Sequence, residues 1–283
     1  MSLRLGRFTL HEVRDGAFRL DGGAMFGVVP RVLWERTNPP DALNRIDLAL
    51  RCLLIDAGDR KILVDAGAGD KMSDKLRGQI ALDRSRFSLD SELARAGVRR
   101  EQITDVILTH LHYDHAGGAI RRLEDGSCAL SFPSATYHLQ RRNWRWAHQP
   151  SEKDRGSYLR EDFELLEHTG RLHLLEGETE LYEGVQLCVS EGHTTAMQLV
   201  RVQGDGQEVV FCGDLVPTAS HLKPHYVMAY DLHPLTALEE KKLLLAQAVE
   251  DGAILYFCHD PRAAACRVVD VEGTVEAGEF VAF

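Results

Sequence analysis

No stretch of the sequence reaches the roughly 18 uninterrupted apolar residues that a membrane helix needs, so a membrane partner is not expected. The opening stretch, MSLRLGRFTLHEVRDG, carries a charge every few positions and has no apolar run of the kind that drives secretion. Cysteine is sparse and never closely paired: Cys52, Cys128, Cys188, Cys212, Cys258 and Cys266 include no C-x-x-C. Without an export signal they read as reduced thiols in a cytoplasmic protein, not as a disulfide framework. Basic residues are in deficit, with 33 Lys and Arg against 43 Asp and Glu and a net charge of −10. An acidic surface repels phosphate backbones, which argues against nucleic acid as the partner. Repeats, low-complexity tracts and Ser/Pro-rich linkers are also missing. What is present, 283 residues with 44% apolar and 27% charged side chains, suits one globular domain spanning 1–283.

The pattern along the chain alternates strands and helices. Asp47–Ile55 and Lys61–Val64 are apolar, β-branched runs around an Ala57-Gly58-Asp59 turn, which predicts a hairpin. Thr104–Thr109, Ala135–His138, Val185–Ser190, Met197–Val202, Glu208–Cys212, Ala253–Cys258 and Arg267–Val271 read as further strands. Helices are expected at Ser88–Ala96, over QRRNWRWAH, at Asp162–His168, and before Gly252. The last is read as starting at a Thr236/Glu239 capping box, with Leu243, Leu244, Ala248 and Val249 as its apolar stripe. Strand-rich halves mixed with helices predict a layered α/β sandwich. Asp21–Asn44 combines turn residues with Met25, Phe26, Val29 and Trp34, so it is expected as an ordered loop that either wraps the core edge or lines a pocket.

The chemistry concentrates in Thr109-His110-Leu111-His112-Tyr113-Asp114-His115, directly after a buried strand. Neutral imidazole and carboxylate are good ligands for zinc and similar divalent ions. Residues two apart on extended backbone point the same way, so His110 and His112 can grip one ion. Asp114 and His115, past the bend, can face a second. Three apolar strands then end abruptly in a ligand-type residue: CVSEGH at His193, VVFCGD at Asp214 and ILYFCH at His259. Strand ends of this kind are where α/β sheets bind ligands. One such end would carry little weight; three in order after the cluster point to a metal site.

The ordered set His110, His112, Asp114, His115, His193, Asp214 and His259 resembles the metallo-β-lactamase superfamily of dinuclear hydrolases, over most of the chain from Asp47 to about Pro261. The resemblance implies a four-layer αββα sandwich with the metals at one edge. It implies that His110, His112 and His193 hold a first ion, that Asp114, His115 and His259 hold a second, and that Asp214 bridges them. Asp65, in the VDAG run, matches a position that hydrogen-bonds a metal-binding imidazole. The family's β-lactamases place Arg where His115 stands and Cys where Asp214 stands, which argues against antibiotic hydrolysis. Only a short tail follows His259, too little for the helical domain of glyoxalase II.

The stretches GAMFGVVP, YHLQRRNW, GDLVPTASHL and VMAYDLHP are similar to the branch of N-acyl-homoserine lactonases, of the YtnP-like kind, and methyl parathion hydrolase. That branch implies two divalent ions, zinc first, with manganese, cobalt or iron as alternatives. It implies attack of a metal-bridging hydroxide on a lactone ester, with Asp114 and Asp214 taking part in the chemistry. A small-molecule ester is the expected partner, and a homodimer is the protein partner the reading allows. Many lactonases carry a Tyr three residues after the bridging Asp; here Pro217 stands there, and His221, Tyr226 and Tyr230 are the candidates to replace it. Met25, Phe26 and Val29 are expected to cover an acyl chain. The alternatives are a phosphotriesterase or aryl-esterase on the same metals, or a protein that keeps metals and binds ligand without turnover.

Overall fold

In the computed structural model, which describes residues 2–283, runs of alternating apolar residues pair into two large sheets. The first takes β1 (Leu3–Leu5), β2 (Phe8–Asp21), β3 (Arg45–Asp56), β4 (Lys61–Val64) and β5 (Asp105–Ile107) in chain order. A small hairpin, β6 (Ile120–Arg122) and β7 (Cys128–Leu130), stands apart, and β8 (Thr136–Gln140) and β9 (Leu172–Leu175) complete the first sheet. Pairing is antiparallel up to β4 and parallel from β4 through β5, β8 and β9. The second sheet runs β10 (Thr179–Tyr182), β11 (Val185–Ser190), β12 (Met197–Gly204), β13 (Gln207–Phe211), β14 (Ile254–Tyr256), β15 (Ala265–Val271) and β16 (Thr274–Val281). Its one parallel pair, β13 with β14, is the one that needs a helical crossover.

The helices are α1 (Gly22–Phe26), α2 (Arg31–Trp34), α3 (Asp74–Gln79), α4 (Leu89–Arg95), α5 (Tyr113–Ala116), α6 (Arg141–His148) and α7 (Pro234–Asp251). Between the sheets, Leu53, Ile55, Val64 and Ile107 meet Val200, Val209, Phe211 and Tyr256 in a closed apolar layer. Outside the first sheet, α4 and α6 bury Leu89, Leu93, Trp144 and Ala147 against Val106 and Leu108. Outside the second, α7 buries Leu244, Leu245 and Ala248 against Val210, Leu255 and Cys266. Helix, sheet, sheet, helix is the αββα order expected from the sequence. No helix among the described residues is long and apolar enough to cross a membrane.

Three expectations need correction. Helix α7 starts at Pro234 with His233 as its cap, so Thr236 lies inside the first turn and no Thr236/Glu239 box forms. Proline is well placed there, because the first helical N–H has no partner to lose. The stripe is rotated accordingly, leaving Leu243 73% exposed while Leu244 and Leu245 face the sheet. The 162–168 stretch is a pair of 3-10 turns, not an α-helix. Within 21–44 the chain forms α1 and α2, the first capped by the Asp21 carboxylate accepting from the Ala24 N–H at 2.8 Å.

Candidate metal centre

Every ligand-type residue singled out by the strand-end pattern sits just past a strand. His110 and His112 leave β5 on extended backbone, and α5 then turns Asp114 and His115 back toward them. His193 follows β11, Asp214 follows β13 in a 3-10 turn, and His259 follows β14. The cluster after the first sheet therefore meets three strand ends of the second. His110 Nε2 lies 2.9 Å from His112 Nδ1, which lies 3.1 Å from His193 Nε2. His259 Nε2 lies 3.2 Å from His115 Nε2. Asp214 stands between the two groups: Oδ2 is 3.2 Å from His193 Nε2, and Oδ1 is 3.3 Å from His115 Nε2 and 3.1 Å from His259 Nε2. Asp114 Oδ2 is 3.6 Å from His259 Nε2 and 3.9 Å from His115 Nε2.

The far side of each ring fixes what the near side offers. The His259 Nδ1–H donates to the Ala49 carbonyl at 2.9 Å, and a carbonyl can only accept. The His115 Nδ1–H donates to Asp65 Oδ2 at 2.8 Å, and the His193 Nδ1–H to Asp231 Oδ1 at 2.9 Å. For His110 the relay is longer. The Thr109 hydroxyl donates to Asp65 Oδ2 at 3.0 Å and so accepts from His110 Nδ1 at 3.0 Å. With Nδ1 engaged behind it, each of these rings turns Nε2 inward, the orientation that offers a nitrogen to a metal ion. His112 turns Nδ1 into the same space, and its Nε2 is buried without a partner.

Ring nitrogens facing one another near 3 Å need a shared proton or a cation between them. The donors group accordingly: His110, His112, His193 and Asp214 could hold one ion, and His115, His259 and Asp214 with Cys258 another. Burial pushes the Cys258 thiol far up, and its sulfur lies 3.3 Å from both the Gly213 carbonyl and Asp214 Oδ1, either of which can accept the S–H. Asp114, on the open side, could add an oxygen donor to the second group. Burial drives His110 and His112 well below the usual imidazole range. Burial would lower His115 and His193 too, yet Asp214, with Asp114 and Asp65 beside His115 and Asp231 beside His193, holds both above it. Burial would also raise Asp214, yet His115, His259 and His193 hold its carboxyl well below the carboxylate range. Imidazoles and carboxylates converging on one space are the donor set that divalent metals take, and the residues fit such ions.

Above these donors opens a cleft of about 630 Å³, with Leu20, Met25, Met228 and Ala229 as its apolar wall and Tyr113, Lys153 and Tyr230 among its polar groups. Of the pocket residues expected from sequence, Met25 and Tyr230 line it. Phe26, Val29, His221 and Tyr226 do not. Phe26 is fully buried, stacked between Trp34 and His221 with ring centroids at 5.4 and 4.7 Å. His221 donates to the Met25 carbonyl at 2.8 Å, and Tyr226 packs edge-on against Phe26. These side chains back the wall without reaching the cleft, because their apolar surface is spent on each other.

Sequence reasoning missed the residues that hold the donors. Thr109 and Asp231 fix rings as described. Asn143 ties the two ligand-bearing loops together, accepting from the Leu111 N–H at 3.1 Å and donating to the Thr195 carbonyl at 2.8 Å. Lys153 Nζ donates to the carbonyls of Ala229, Tyr230 and Asp231, each at 2.8 Å. No local spacing marks Asp231, Asn143 or Lys153, since each acts across a long stretch of chain, while Thr109 acts on the very next residue. Asp65 was readable in sequence, and its φ of 60° is a conformation Asp tolerates better than most residues.

Comparison with known proteins gives the same picture. Residues 48–259 match the family model of the metallo-beta-lactamase superfamily. The chain is 25% identical to an N-acyl homoserine lactonase of Bacillus cereus over 229 residues, 77% of this chain and 83% of that protein. A probable metal-dependent hydrolase from Staphylococcus aureus superposes with a TM-score of 0.91 at 26% identity, covering 99% of both chains. AidC, a dizinc quorum-quenching lactonase solved with a product, N-hexanoyl-L-homoserine, superposes at 0.79 with 20% identity, over 100% of this chain and 97% of that one. With its sandwich, its ordered donors and a family match over most of its length, the chain belongs to the metallo-beta-lactamase superfamily and is a hydrolase of that superfamily.

Proposed function

We propose that the chain is a single-domain dinuclear hydrolase that opens lactone esters, N-acyl-homoserine lactones foremost, with zinc as the resident ion. The observation that carries this is Asp214 standing between two donor groups at the floor of a partly apolar cleft. On this reading His110, His112 and His193 hold one ion, Asp114, His115 and His259 the other, and Asp214 both. Ions held there would supply Lewis acidity toward an ester carbonyl and a water acidic enough to ionise near pH 7. Leu20, Met25 and Met228 would take the acyl chain. Tyr230, 37% exposed and on the cleft, is the surviving candidate for the missing lactonase tyrosine. Asp214 would receive the proton of the attacking water and return it to the leaving alkoxide. Six free cysteines support a cytoplasmic setting for this reaction.

One observation keeps a phosphotriesterase or aryl-esterase as the second reading. Pro217 has no side-chain donor, so this position cannot supply the hydrogen bond of the lactonase Tyr, and its carbonyl accepts the His259 N–H at 2.9 Å. Steady-state rates on a lactone series, an aryl ester and a phosphotriester, with metal analysis of the same preparation, test the proposal. Two ions per chain and the highest kcat/KM on lactones are expected. Faster phosphotriester cleavage would transfer the assignment, and two bound ions with no turnover on any ester would leave a ligand-binding protein.

A further inference from the structure

A second cleft, of about 520 Å³, opens between the start of α4, the 66–70 turn and the β6–β7 hairpin, and none of the candidate metal donors lines it. Its wall gathers Arg84, Arg100, Arg121 and Ser131. Among the described residues few buried side-chain atoms lack a hydrogen-bond partner, and three of them belong to this wall: Arg100 Nη1, Arg121 Nε and Ser131 Oγ. Buried polar groups are almost always satisfied, so three orphans in one wall call for an explanation. Ser131 is 1% exposed, which removes bulk water as the missing partner.

The carboxylates nearby are already engaged. Asp15 pairs with Arg84 and accepts the Ala68 N–H at 2.8 Å. Asp90 pairs with Arg100 through Nε, and the Arg100 guanidinium sits 5.3 Å from the centre of the Phe132 ring, which fixes its plane. Asp70, exposed at the rim, accepts among the described residues only the Arg122 N–H, at 3.3 and 3.4 Å. Arg122 itself reaches out to Glu161. Arg121 forms no ion pair among the described residues. Guanidinium and hydroxyl donors without acceptors complement a group that only accepts, and a tetrahedral oxyanion is such a group.

We propose that this cleft binds a tetrahedral oxyanion, inorganic phosphate or the phosphate of a small monoester, through Arg121, Arg100 and Ser131. The site lies behind the proposed metal centre: Ala66 and Gly118 line it, and the Ala66 N–H donates to the His115 carbonyl at 2.7 Å. Isothermal titration of the metal-loaded enzyme with inorganic phosphate tests it. The expected result is a binding event whose Kd rises at least tenfold in Arg121→Gln and several-fold in Ser131→Ala. Asp70→Asn, which removes a rim charge, should tighten it, and metal content should not change in any variant. Arg122→Gln, which alters the same net charge next door, should leave the event nearly intact. Tighter binding of glycerol phosphate than of phosphate would identify a phosphorylated metabolite as the source, and equal binding would identify the free ion. Phosphate binding identical in wild type and Arg121→Gln, or weakened equally by Arg122→Gln, would overturn the proposal.

Discussion

Replacing Asp65 with Asn keeps the shape of the side chain and tests the tautomer logic of the metal centre directly. Asn accepts the same positive φ, so the backbone need not move. Its single oxygen can still take the Thr109 N–H, which the Asp65 carboxylate accepts at 2.8 Å. The amide nitrogen must then face the His115 Nδ1 and the Thr109 hydroxyl, both of which now donate to the carboxylate. Donor against donor is resolved if His115 moves its proton to Nε2, which removes the lone pair aimed at the proposed second ion. The loss of such a supporting carboxylate costs about 10- to 100-fold in metal affinity, or roughly 1.4–2.8 kcal/mol. That range matches the net worth of about 1.5–3 kcal/mol for a hydrogen bond to a charged group. Titration against a chromophoric chelator should resolve two ions in the wild type. In the variant the one held by His115 should weaken by this factor, and kcat should fall with it. Two unchanged affinities in a folded Asp65→Asn protein would refute the argument that this carboxylate sets the ring's tautomer.

Other substitutions probe different layers. Asp214→Asn should release one ion and lower kcat at least a hundredfold, measured by elemental analysis beside steady-state rates; wild-type turnover with both ions present would contradict a bridging role. Met25→Ala should flatten the dependence of kcat/KM on acyl-chain length, worth about 0.8 kcal/mol per buried methylene, while metal content stays constant. Phe26→Ala, a cut into the core, should instead lower unfolding free energy by about 3–5 kcal/mol in a urea titration. Burial pulls the Lys241 amine down to about 8. Between that value and the unfolded pKa near 10.4 the unfolded chain binds the extra proton, so this group makes stability rise with pH. The stability difference between wild type and Lys241→Met should therefore grow in favour of wild type by up to about 3 kcal/mol from pH 8 to 10.5. A difference independent of pH would show that the amine is not desolvated in solution.

The proposed ligands were legible in the sequence because metal chemistry needs particular residue types, and because strand ends announce themselves as apolar runs that stop. A layered α/β sandwich was legible in the strand and helix patterning, and its αββα order in the resemblance to the metallo-β-lactamase superfamily. Strand β2 was not: FTLHEVRDGAFRLD mixes charges into its alternation, and its register shifts between Arg14 and Gly16, which breaks a simple period of two. Asp231 and Asn143 stayed hidden because their partners are 38 and 52 positions away. His221 and Tyr226 were candidates because Pro217 left a donor missing, whereas Phe26 and Val29 were expected on the substrate wall because hydrophobicity marks what avoids water. It does not separate a side chain that lines a cleft from one that stands behind it.

The donor groups do not belong to one sheet. His110, His112, Asp114 and His115 hang from the first, and His193, Asp214 and His259 from the second, with 144 positions between His115 and its neighbour His259. Ions seated there would act as rivets through the open edge of the sandwich, closing a loop that would otherwise cost chain entropy on every refolding. Withdrawal of metal would then leave facing lone pairs and a carboxylate prying the seam apart from within. Scarcity of the ion in the cell would be felt first as shortened lifetime of the polypeptide, and only second as lost turnover.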